Sequence, residues 1–141
     1  GKGYTLNVPL PPGAGDDIFL NGFNSFLPIA RQFEPDVVAV SAGFDAHKND
    51  LLLDLRLSAT SYYALGTLLR ENFPRLFAVL EGGYQIDALQ IGIENFLAGI
   101  NGEAMPHVEK PTESNQACWE EYDLSIHSGL SVLSNYWKLG K

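Results

Sequence analysis

The sequence has little that could brace it covalently or draw it to a polyanion. Cysteine occurs once, as Cys118, so no disulfide can close within the chain and a zinc site built from thiolates is excluded. A reducing, cytoplasmic setting fits that usage. Basic residues are few and scattered, nine against seventeen acidic ones, and the charge of −8 offers no footprint for direct nucleic-acid binding. An acidic surface suits a cationic partner, and equally well mere solubility. Apolar runs such as "LFAVL" are far too short for a bilayer, so no membrane partner is expected. The sequence opens without methionine, no secretory leader is expected, and the chain reads as strand almost from its first residue. A segment cut from a larger protein is expected.

What is present suffices for one domain with a core: 141 residues, 45% of them hydrophobic. "YTLNVPL" (4–10) reads as a short strand stopped by Pro11 and Pro12. "GAGDD" reads as a turn, with Asp16 as helix cap. Phe19, Phe23, Phe26, Ala30 and Phe33 then follow helical spacing, and Pro28 is expected to kink or split that helix. The β-branched run 36–42 fits a strand buried on both faces, and 76–80 a second such strand. Residues 44–57 read as a long loop, Ser58 as the N-cap of a helix to about Asn72, and Ile86 to Ile100 as a further helix. The polar, proline-containing stretch 103–121 reads as a linker between a core of 1–102 and a last amphipathic helix in 122–141.

Strands separated by helices imply an α/β fold with a parallel sheet. Such sheets bind ligands beyond the carboxyl ends of their strands. Two segments sit there: "GFDAH" (43–47) and "EGGY" (81–84). Asp45 reads either as a metal-ligating carboxylate or as a turn cap accepting backbone N–H groups. His47, one residue beyond it, reads as a solvated loop histidine, and Asp50 and Asp54 as loop carboxylates. Gly82 and Gly83 allow close approach of a substrate to the backbone. Tyr84 reads as a hydrogen-bond donor to a developing oxyanion or as a ring packed over a turn. Glu81 is left open between an acceptor and an ion-pair member. His107 and His127 are expected at the surface. "GAGDD" lacks the spacing of a phosphate loop, and its aspartates would repel phosphate.

Taken in order, "GYTLNVPLPPGAGDDIFLNGF", "LPIARQFEPDVVAVSAGFDAH", "LEGGY" and "YWKL" resemble the C-terminal half of the histone deacetylase superfamily, nearest its class II, acetylpolyamine amidohydrolase and acetoin-utilisation branches. The resemblance covers nearly the whole chain. It implies a three-layer arginase-like parallel sheet with flanking helices, here incomplete, and one zinc ion in the complete enzyme. It implies hydrolysis of an acetylated lysine or an acetylated small amine, with Asp45 as a zinc ligand and Tyr84 as the oxyanion donor. His47 matches a position that is not a ligand in that superfamily. Leu51 stands where a proline is usual, and the tandem histidines and upstream Asp-x-His of the superfamily have no match here. The chain alone is therefore expected to be inactive. Two alternatives remain: an inactive deacetylase-like binding module, and an arginase-like ureohydrolase with two manganese ions, disfavoured by Gly43 and Phe44 where a second bridging aspartate belongs. A homo-oligomer is possible.

Overall fold

The computed structural model describes residues 1–139. Its elements are α1 (Asp16–Gln32), β1 (Val38–Ala42), α2 (Ala59–Asn72), β2 (Leu76–Leu80), α3 (Ile86–Asn101) and α4 (Gln116–Leu133). β1 and β2 pair in parallel from Val38↔Leu76 to Ala42↔Leu80, with α2 as the crossover between them. The α/β architecture expected from the sequence is therefore present, as one βαβ unit with added helices.

Several local expectations are corrected. Residues 4–10 form no strand. Their alternation serves packing instead: Leu6, Val8 and Leu10 lie against the cluster of Ile18, Phe26, Ile29, Tyr122 and Ile126. α1 runs unbroken through Pro28. The carbonyl that loses its partner there belongs to Asn24, an exposed residue, so water can satisfy it. The strands are not buried on both faces. Val38, Val40, Ala42 and Leu76 pack against the second cluster, around Leu27, Phe44, Tyr62, Leu69 and Phe96, but Phe77 and Val79 are 52% and 53% exposed. Among the described residues, helices cover one face of the sheet and nothing covers the other. α4 begins at Gln116, six residues before the expected start, because the Asn115 side chain accepts from the Cys118 N–H and caps the helix there.

The presumed linker is sewn into the molecule. Asp16 does not cap its own helix, whose N-cap is Gly15. Its carboxylate accepts from the Ser58 N–H (2.8 Å), the Ser58 hydroxyl (2.6 Å) and the Thr112 N–H (3.1 Å). Thr112 returns a bond, its Oγ1 accepting from the Asp16 N–H at 3.0 Å. Asp17 accepts from the Ser114 N–H and hydroxyl and from the Trp119 indole N–H. The fully buried Asn95 amide holds His107 through both backbone groups. Residues 103–115 thus form a strap across the starts of α1 and α2.

Glu109 is the strap's central clasp. Its Oε2 accepts from the Ala59 N–H at 2.7 Å and lies 2.9 Å from His47 Nε2 and 3.2 Å from Lys48 Nζ. Burial works against the Glu109 carboxylate, but the Ala59, His47 and Lys48 donors outweigh it and hold its pKa below the ordinary value. Asp17 is likewise lowered: burial opposes, and Ser114, Ile18 and Trp119 prevail. A carboxylate lowered in the folded state adds stability above its unfolded pKa and loses it as pH falls through the native value. Thermal unfolding should therefore be nearly flat in pH above about 5 and decline below about 4. Glu109→Ala should cost about 1–3 kcal/mol at neutral pH, because it strands the buried His47 N–H, and should flatten part of the acid decline. Melting curves across pH 3–7 check both.

Candidate functional site

The parallel register aligns the carboxyl ends of the two strands, and the pairing continues past them. The Glu81 N–H donates to the Ala42 carbonyl (2.9 Å) and the Phe44 N–H to the Gly82 carbonyl (2.8 Å). The two segments singled out from sequence, 43–47 and 81–84, therefore run side by side on one rim. Asp45 lies directly against Gly82: a Cβ at Gly82 would fall 2.7 Å from Asp45 Oδ2. Any side chain at position 82 would displace the carboxylate. Gly83 has φ of +133°, a conformation costly for any residue with a Cβ.

Asp45 is partly buried, and among the described residues no donor reaches its carboxylate. That disfavours a turn-capping role. Tyr84 is 66% exposed. Glu81 accepts from the Ser41 hydroxyl across the strand pair at 2.8 Å, so it is an acceptor.

His47 is a correction. It is fully buried, not solvated. The loop folds back on itself through the His47–Leu57 bridge, and the strap closes over it. Its Nδ1 accepts from the Asn49 N–H (3.2 Å), so Nε2 carries the proton given to Glu109. The ring is committed to structure. His107 contacts Glu94, half exposed, and His127 is exposed on α4.

Three supports escaped the sequence reading. The buried Tyr62 hydroxyl donates to the Phe44 carbonyl (3.0 Å), one residue before Asp45. Burial pushes its pKa far up, and the charges of Asp45, Asp16 and Asp50 add to the shift. Glu109 is the second. Asp50 is the third: its side chain reaches the backbone at Tyr84 and Gln85. The Tyr84 N–H, chief among its donors, holds the Asp50 carboxylate below the ordinary range against the opposing effect of burial. Only the local bond from the Leu52 N–H to Asp50 Oδ1, an Asx turn, leaves a trace in sequence.

An apolar groove lies elsewhere. It measures about 530 Å³, is lined by apolar residues such as Phe23, Phe33, Val37, Phe73 and Trp137, and opens at the amino end of β1.

Among the described residues, no three His, Cys, Asp or Glu side chains converge to hold a metal. A zinc ion takes about three protein ligands. Asp45 fits one corner of such a site, and the described residues do not fit a whole one.

The profile of the histone deacetylase domain matches residues 1–100. The chain belongs to the histone deacetylase family. It is 32% identical, over 158 aligned positions, to a probable deacetylase of Archaeoglobus fulgidus, covering all of this chain and 44% of that protein. An acetylpolyamine amidohydrolase of Burkholderia pseudomallei is 30% identical over 100 residues, 71% of this chain and 29% of that one. Among solved structures, the histone deacetylase Clr3 superposes with a TM-score of 0.83 at 27% identity, over 96% of this chain and 23% of that chain. The chain thus spans less than half the length of these deacetylase relatives. No described helix is long and apolar enough to cross a membrane.

Proposed function

We propose that this chain is the C-terminal part of a longer zinc-dependent deacetylase that hydrolyses the amide of acetylated lysine or of an acetylated small amine. The observation that carries the reading is the shared rim, where a partly buried carboxylate without a donor lies against the glycines that lead into an exposed tyrosine. In that reading Asp45 is one zinc ligand, and the other ligands and the proton-accepting histidine come from outside these residues. Zinc would supply polarisation of the acetyl carbonyl and of a water.

This chain's own residues do the rest. Gly82 and Gly83 let the acetyl group approach the backbone. Tyr84 donates a hydrogen bond to the oxygen that gains charge as water adds to the carbonyl. The C–N bond then breaks to give acetate and the free amine. Relatives named for acetylpolyamine and for histone deacetylation support both substrate classes.

Alone, the chain offers one candidate ligand and should be inactive. The test is zinc content and turnover of an acetyl-lysine peptide and an acetylated polyamine, measured on this chain and on the complete protein. About one zinc per chain with turnover is expected only in the complete protein. A complete protein that turns over neither substrate would be a binding module, and two metals per chain would restore the ureohydrolase alternative.

A further inference from the structure

We propose that Asp50 is the positioning residue for Tyr84, fixing the tyrosine's backbone so that its hydroxyl meets the reacting carbonyl. The inference rests on the reading of Tyr84 as oxyanion donor and adds the element that aims it.

Tyr84 needs such an element. Two glycines precede it, its ring is largely exposed, and among the described residues its hydroxyl has no partner. The Phe44 N–H holds the Gly82 carbonyl, but no side-chain bond of Tyr84 fixes its own direction among the described residues. The bonds at Tyr84 itself come from one carboxylate. Asp50 Oδ2 accepts from the N–H of Tyr84 at 2.6 Å and from the N–H of Gln85 at 2.9 Å, while Oδ1 accepts from the Leu52 N–H at 3.0 Å. Asp50 is itself only 4% exposed. Its N–H donates to the His47 carbonyl at 2.8 Å, and the His47 ring is held by Glu109. One loop therefore carries the candidate ligand Asp45 and, five residues on, the anchor of the candidate donor. Charge-assisted bonds to a buried carboxylate are strong and directional, and a displacement of about 1 Å at a reacting group can cost about a hundredfold in rate.

Asparagine at this position can turn its single carbonyl oxygen toward Tyr84 and Gln85 or toward Leu52, never both, and it puts an NH₂ against an N–H. In the complete, zinc-loaded protein, Asp50→Asn should lower kcat about tenfold or more, change KM less than about threefold, and leave zinc content unchanged. A merely structural role would not couple to the tyrosine's hydroxyl, so the deciding measurement is a double-mutant cycle. In a Tyr84→Phe background, Asp50→Asn should change kcat less than about twofold. An Asp50→Asn enzyme with wild-type kcat, or a loss that persists in full on top of Tyr84→Phe, overturns the inference. Unchanged turnover in Tyr84→Phe alone would instead sink the assignment of the tyrosine. If Asp50→Asn does not fold, Asp50→Glu, which keeps both carboxylate oxygens, carries the same cycle with the same outcomes.

Discussion

Tyr84→Phe in the complete protein is expected to lower kcat by about a hundredfold or more while zinc stays bound. The substitution removes one oxygen from a side chain that is 66% exposed and bonds no described residue. The fold should therefore be indifferent to it, and a change in turnover reports on chemistry. A single oxyanion donor is worth on the order of 3 kcal/mol in the transition state. KM should move little, because the bond strengthens only as charge develops on the acetyl oxygen. Turnover within about twofold of wild type would remove Tyr84 from the mechanism.

Asp45→Ala should act differently, abolishing turnover by releasing the metal. Its carboxylate is partly buried at the rim and accepts from no described donor, so deleting it leaves no protein group newly unpaired. Unfolding temperature without metal should stay close to wild type. Zinc per chain, measured after gel filtration, should fall from about one to a small fraction. Were Asp45 merely a turn cap, the pattern would reverse, with stability lost and metal retained. That outcome would end the assignment.

The sequence made the rim legible because two rules converge there. Short apolar runs between helical patterns mark strands, and parallel strands present ligand groups at their carboxyl ends. The rule picks out the segments that hold Asp45, Gly82, Gly83 and Tyr84, the family resemblance supplies their expected roles, and the structure brings the two segments together. The supports were not legible because each depends on distant pairing. His47 looks like a solvated residue beside Lys48, Asn49 and Asp50 until Glu109, 62 positions away, is brought over it. Asp50 looks like a loop carboxylate until the Tyr84 N–H, 34 positions away, reaches it. Residues 4–10 mislead for a related reason. Their alternation fits a strand, yet it serves equally to lay one apolar side on helices α1 and α4.

The strap also ties the start of the chain to residues beyond the end of the matched profile. The deacetylase profile ends at residue 100, but Asp16 and Asp17 reach partners 96 and 97 positions further on. During synthesis the first turn of α1 must wait for those partners, long after the rest of that helix has left the ribosome. A piece trimmed to residues 1–100 would lose the Thr112 and Ser114 donors to Asp16 and Asp17 and would leave the buried His47 imidazole without Glu109, so the strap belongs to the folded unit although the profile stops short of it.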